Sequence, residues 1–231
     1  MTPTAQLKSI TAIILAGGLS RRMGSDKALV ELRGQSLLHR MTHRLNPHVA
    51  EVMVVTRDRI WEADLPVRWI FDAPGRSDTW GAIVTGLEAT RTDYAFVCAV
   101  DMPGLHLPLV GYLVDRFLQG NADATVPEGP KGIEPLHAVY HRRCWSVLDI
   151  AHAQGQRRLQ ELDRFLQIDR VPILALQDAG VWVDWALGNA NTPAELSALD
   201  AQLPAEKSAR ISPQIRSDKS ESAEPCGGPG E

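Results

Sequence analysis

The chain has 231 residues, a formal net charge of -4 and a pI of about 6.0, with 44% hydrophobic and 23% charged residues. That length suits one α/β domain with a sizeable core. The acidic balance argues against a nucleic acid backbone as the main partner, while leaving room for a local basic pocket that takes a small phosphorylated ligand.

The first element is an apolar strand, Thr11–Ala16. It runs into Leu15-Ala16-Gly17-Gly18-Leu19-Ser20-Arg21-Arg22-Met23-Gly24-Ser25-Asp26-Lys27. Adjacent glycines let a backbone curl closely around a polyphosphate and offer it N–H groups. Arg21, Arg22 and Lys27 add positive charge beside them. Neither GxxxxGK[ST] nor GxGxxG is present, and taken alone the segment also reads as a glycine-rich surface turn. Leu37, Leu38, Met41 and Leu45 then mark a helix. Strands are predicted at Glu51–Val55 and Val67–Phe71, the second ending at Asp72, which is either an Asx-turn residue before Pro74-Gly75 or a functional carboxylate. Trp80, Ile83, Val84 and Leu87 repeat at i, i+3, i+4, i+7 and predict the next helix.

A buried strand over Tyr94–Val100 delivers Asp101. By itself the Asp101-Met102-Pro103 pattern reads as a turn aspartate, yet a carboxylate just past a strand end can also hold Mg²⁺ together with phosphate oxygens and water. Leu109, Val110, Leu113, Val114 and Phe117 form a helical stripe, entered through Pro108 at its first position. Further strands are predicted at Ala124–Val126, Leu136–Tyr140 and Ile168–Val171. His137, inside the predicted strand Leu136–Tyr140, is tempting as a base but reads first as a structural residue. Thr192-Pro193-Ala194-Glu195 opens a last helix with a capping-box pattern. Locally, Asn191 merely flanks that cap.

Strands alternating with helices predict a mostly parallel sheet covered on both faces. From Pro204 the composition turns rich in serine, proline and glycine, with Ile211 and Ile215 its larger aliphatic residues. The reading is therefore one domain over 1–203 and a disordered tail over 204–231. Cys98, Cys144 and Cys226 form no CxxC or Cys/His cluster, which fits a reducing compartment. No apolar run is long enough for a leader core or a membrane span. A soluble cytoplasmic protein with no membrane or nucleic acid partner is expected.

The string from Leu15 to Lys27 resembles the signature LAGGxSxRMGxDK of the molybdenum cofactor guanylyltransferases. The resemblance continues more sparsely to about Leu203 and does not cover the tail. It implies a three-layer, Rossmann-like, mostly parallel α/β sheet of nucleotidyltransferase type. It also implies GMP transfer from GTP to the terminal phosphate of molybdopterin, with release of pyrophosphate. Leu15, Ala16, Gly17 and Gly18 would then face the nucleotide, with Asp72 a further contact. Arg22 and Lys27 would hold the triphosphate, and Asp101 would be the Mg²⁺ ligand. Lys27, Arg22 and Asp101 form the implied catalytic set. Gly188-Asn189-Ala190-Asn191-Thr192-Pro193 resembles the family's Asn-x-Asn-Thr-Pro motif, so Asn189 and Asn191 are expected on the acceptor side. Beside that motif, the residues themselves offer Arg157-Arg158, opening a helical stretch, which reads equally as an acceptor-phosphate contact, through Arg157, or as a solvated charge pair. The implied partners are GTP, molybdopterin and a receiving molybdoenzyme apo-protein or its chaperone.

Ala16-Gly17-Gly18 stands where related cytidylyltransferases usually have Ala-Ala-Gly, which favours GTP over CTP. Two departures from the family pattern stand out. Asp78-Thr79-Trp80-Gly81-Ala82 replaces a stretch that often begins Gly-Pro-Leu, and Val55 or Thr56 stands where some members carry asparagine. Two alternatives remain open at this level: a molybdopterin cytidylyltransferase or other small-molecule nucleotidyltransferase, and a non-catalytic carrier of the cofactor.

Overall fold

The computed structural model describes residues 6–17 and 26–204. The first half of the chain supplies β1 (Thr11–Leu15), β2 (Glu31–Leu32), β3 (Gln35–Ser36), α1 (Leu37–Leu45), β4 (Glu51–Thr56), β5 (Arg68–Phe71) and α2 (Thr79–Ala89). The second half supplies β6 (Tyr94–Ala99), α3 (Leu107–Gln119), β7 (Ala124–Gly129), β8 (Gly132–Ile133), β9 (His137–His141), α4 (Cys144–Ala153), β10 (Ile168–Pro172), α5 (Ile173–Asp178) and α6 (Pro193–Gln202).

Among the described residues the main sheet runs β10-β7-β9-β6-β1-β4-β5, with β8 paired to β7. β1 lies parallel to both β4 and β6, β5 extends β4 in parallel, and β10 is parallel to β7. β9 runs antiparallel to both of its neighbours, β6 and β7. The sheet is thus mixed and mostly parallel, as the strand–helix alternation predicts.

Strand periodicity splits the core into two layers. Ala12 and Ile14 of β1 join Phe96 and Cys98 of β6 on the face covered by α1 and α3. Ile13 and Leu15 join Ala95 and Val97 on the face covered by α2 and α4. Burial on both faces is why these strands read as unbroken apolar runs. The second face is tight: a Cβ at Gly86 of α2 would stand 2.7 Å from Ile13 Cγ2. Trp80 is buried there, and its Nε1 donates to the Leu148 carbonyl of α4 at 2.8 Å.

Helix starts follow their caps. The side chains of Ser36, Asp78 and Thr192 accept from backbone N–H groups in the first turns of α1, α2 and α6, a preferred use of these residue types. α3 begins at Leu107, one residue earlier than its apolar stripe suggests, so Pro108 stands second in the helix. Glu195 completes a variant of the capping box, accepting from the N–H of Asn191 at 2.8 Å and not from that of Thr192.

A hairpin that sequence patterning misses follows the first loop. Arg33 and Gly34 have φ of 54° and 75°, the left-handed pair that a two-residue turn between β2 and β3 requires. The Arg33 guanidinium pairs with the Asp200 carboxylate at 2.5 Å and donates to the carbonyls of Asp200, Leu203 and Pro204. It therefore satisfies acceptors that the end of α6 leaves open. Among the described residues no helix is long and apolar enough to cross a membrane.

Candidate active site

A cleft of about 360 Å³ opens at the carboxyl ends of β1, β5 and β6, the edge at which α/β sheets hold ligands. Leu15 and Gly17 reach it from β1, Asp72 from β5 and Asp101 from β6, while Lys27 comes from the short 3-10 turn Lys27–Leu29. Gly18 and Arg22, and the other residues of 18–25, lie outside the described residues. Gly17 and Lys27, on either side of that stretch, both line the cleft.

Lys27 and Asp101 meet directly. Lys27 Nζ donates to Asp101 Oδ2 at 2.5 Å and to Asn191 Oδ1 at 2.5 Å, and both partners of the ion pair are largely shielded, at 17% and 19% exposure. The Ala190 N–H donates to the Asp101 carbonyl at 2.8 Å. The Asn-x-Asn loop is therefore bonded by its backbone to Asp101, just past β6, and by the Asn191 side chain to Lys27. Among the described residues no group of three or more His, Cys, Asp and Glu side chains is gathered for a metal. A lone carboxylate suits a hard cation that draws its remaining ligands from phosphate and water, which is the ordinary habit of Mg²⁺.

Asp72 lies half-buried, beside the Gly17 backbone. Its Oδ1 is buried and finds no donor among the described residues. Burial, opposed by Arg57 and reinforced by Asp78, pushes its pKa up to about 6. A methyl group built on Gly17 would stand 3.5 Å from Asp72 Oδ2 and 3.7 Å from the Arg57 nitrogen, both ordinary contacts. Among the described residues nothing stands close enough to Gly17 to exclude alanine. Arg57, which sequence reasoning passed over, lines the cleft just past β4. Its position at the carboxyl end of a parallel strand was the available signal.

The segment that replaces Gly-Pro has a role of its own. Asp78 Oδ1 accepts from the Gly81 N–H at 2.8 Å, and its Oδ2 meets His152 Nε2 at 2.9 Å and Arg157 Nε at 2.7 Å. Burial opposes ionisation here, yet the bonds from Gly81, His152 and Arg157 hold the Asp78 carboxyl below its ordinary value. A Cβ at Gly81 would collide with the Arg76 carbonyl, so glycine is required by the fold. Arg157 is thus brought to the rim formed by Asp78, where it also donates to the His152 carbonyl at 2.7 Å.

Asn189 lies elsewhere, in a second groove of about 260 Å³ with Lys131, Glu134, Gln160 and Trp182. Glu134 links the two spaces electrostatically: burial raises its pKa, and the charge of Asp101 adds to the rise. His137 is fully buried against Phe96, with ring centroids 5.0 Å apart, and neither ring nitrogen finds a partner among the described residues. Burial lowers its pKa to about 3, so it stays neutral, in keeping with a structural residue.

Residues 12–171 match the model of the MobA-like NTP transferase domain. A probable molybdenum cofactor guanylyltransferase of Chloroflexus aggregans is 35% identical over 84% of this chain and 95% of its own length. The molybdenum cofactor guanylyltransferase of Desulfosudis oleivorans is 30% identical over 89% of this chain and 100% of its own. Among solved structures, molybdopterin-guanine dinucleotide biosynthesis protein A from Archaeoglobus fulgidus superposes with a TM-score of 0.71 at 24% identity, covering 83% of this chain and 97% of that one.

Proposed function

The chain belongs to the MobA-like NTP transferase family, with the molybdenum cofactor guanylyltransferases as its relatives, and on that premise we propose that it transfers GMP from GTP to the terminal phosphate of molybdopterin. The products are the guanine dinucleotide cofactor and pyrophosphate. The observation that carries this reading is the cluster of Lys27, Asp101 and Asn191 at the floor of the cleft. A protein that only carried the cofactor would have no use for a shielded ammonium–carboxylate pair beside a polyphosphate loop.

An oxygen of the acceptor phosphate attacks the α-phosphorus of GTP, and the bond to the β-phosphate oxygen breaks as pyrophosphate leaves. The attacking oxygen is ionised already, so no general base is needed, in accord with the dry, neutral His137. Lys27 draws negative charge from the triphosphate as the leaving group forms. Backbone N–H groups around Gly17 orient the nucleotide, and the free acceptor oxygen of Asp72 takes a hydrogen bond from a donor on its base or sugar. Asp101 is the residue that would hold Mg²⁺, whose chemistry is to neutralise charge on the transferring phosphates. Fixed charges and positioning supply the rate enhancement without a covalent enzyme intermediate.

On the acceptor side, Asn189 and the Trp182 groove adjoin the catalytic floor through Glu134, and Arg157 stands at the far rim as a phosphate contact. Arg22 and Gly18 complete the triphosphate loop in this reading. Cytoplasmic residence belongs to it as well, supported by Cys98 and Cys144 as buried free thiols. The catalytic domain is residues 1–203.

The test is direct. Pure protein is incubated with each of the four nucleoside triphosphates, Mg²⁺ and molybdopterin, and the nucleotide in the product is identified. GTP is expected to be used best. A cytidine dinucleotide as main product would overturn the guanylyl assignment, and no product with any nucleotide would overturn the transferase reading.

A further inference from the structure

Asn189 and Asn191 stand two residues apart on one loop, yet they serve different spaces. Asn189 lines the groove with Trp182 and Gln160, whereas the Asn191 side chain accepts from Lys27 Nζ at 2.5 Å. We propose that Asn191 is a positioning residue for Lys27 and acts through it on the phosphates of the nucleotide, not on the acceptor. This rests on the reading that the cleft takes a nucleoside triphosphate.

The geometry explains why such a residue is needed. A lysine ammonium has three donors and sits on a flexible four-carbon stem. With Asp101 as its sole partner, the group could rotate about that one bond and leave its other protons undirected. Asn191 takes a second proton, and two fixed bonds determine where the third one points. Asn191 is itself held: its N–H donates to Glu195 Oε2 at 2.8 Å, and the Glu195 N–H donates in turn to Thr192 Oγ1 at 3.2 Å. On the other side, the Ala190 N–H fixes the carbonyl of Asp101 at 2.8 Å. The first turn of α6 thereby aims the lysine.

Calorimetry without any acceptor separates this role from acceptor binding. Mg·GTP and guanosine are titrated into wild type, Asn191→Ala, Lys27→Ala and the double variant, with melting curves to verify folding. Asn191→Ala is expected to weaken Mg·GTP binding by roughly tenfold, the weight of one hydrogen bond to a charged group. Guanosine, which has no phosphate for Lys27 to touch, should bind as before. In the Lys27→Ala background, Asn191→Ala should add nothing. Unchanged Mg·GTP binding by Asn191→Ala would overturn the proposal, as would an equal further loss in the double variant. If wild type itself bound none of the four triphosphates, the nucleotide reading would fall first and this inference with it.

Discussion

The cleft has two kinds of wall. At Lys27, Asp101 and Asn191 the polar groups are already joined to one another, whereas at Asp72 a half-buried carboxylate keeps one oxygen without a donor among the described residues. Groups that are paired in advance need little reorganisation when charge develops on a phosphate, which is the condition for strong electrostatic catalysis. A buried acceptor without a donor is costly unless a ligand supplies one. On the proposed function, the first wall serves the reaction, and the second recognises whatever brings the missing donor.

The largest effect that would test this contrast comes from Asp101→Asn, which keeps the volume and removes the charge. Turnover is expected to fall by roughly 10²-fold or more, the cost typical of losing one preorganised electrostatic contact. The melting temperature should fall only modestly, because the residue lies past a strand end and Lys27 keeps its bond to Asn191. Near-normal turnover and magnesium dependence in a steady-state assay would reduce Asp101 to a turn residue and erase the distinction between the walls.

Asp72→Asn should sharpen it, with GTP binding weaker by about tenfold at pH 7.5. The pH dependence has a definite sign. Because burial raises the Asp72 pKa from 3.8 to about 6, the folded state favours the protonated form. The stability this group contributes is complete below pH 3.8 and is lost as pH rises through about 6. Asn at this position should thus raise the melting temperature at pH 7.5 by about 2–4 °C, and by almost nothing at pH 3.5. Nucleotide affinity runs the other way in wild type, increasing through the same interval as the carboxylate ionises. A flat affinity profile between pH 5 and pH 7.5 would mean that Asp72 accepts nothing from the nucleotide.

How much of this was legible beforehand depends on how local the determining forces are. The central strands follow from apolar runs buried on both faces, the edge strands β5 and β10 are only partly buried, and the predicted bounds of all seven agree with the structure to within a few residues. β2 and β3 hold two residues each, too few for any period to register. α4 escaped notice because its apolar residues run around the helix: Leu148 and Ala151 are buried while Val147 and Ile150 are exposed, so no single stripe appears. Lys27, Asp72 and Asp101 could be picked out because each stands at a strand end or in a loop rich in glycine and positive charge. The meeting of Lys27 with Asn191 spans 164 positions and has no local trace. Asp78 read only as a departure from a family pattern, since its partners His152 and Arg157 arrive from a distant helix end.

That segment gives a smaller test. Asp78→Ala removes a helix cap worth about 1 kcal/mol and should lower the melting temperature by about 2–4 °C. Turnover should fall less than it does for Asp101→Asn, because Asp78 lines the rim of the cleft and not the Lys27–Asp101 pair. A loss of activity as large as that of Asp101→Asn, read in the same assay, would move Asp78 into the reacting centre. The smallest effect is expected from ending the chain after Pro204, whose carbonyl still receives Arg33. Melting and transfer should both match the full chain, and a clear drop in either would give residues 205–231 a place in the working protein.

The clasp of Arg33 on the end of α6 also bears on when the enzyme becomes competent. Arg33 leaves the ribosome early, yet its partners Asp200, Leu203 and Pro204 come some 167 to 171 positions later. Contacts of such separation form late, after the loop they close has paid its entropy. The same final stretch delivers Asn191 to Lys27. On the proposed function, Lys27 would gain its Asn191 partner only once this last stretch has docked, so a chain that stops before α6 is expected to lack that bond.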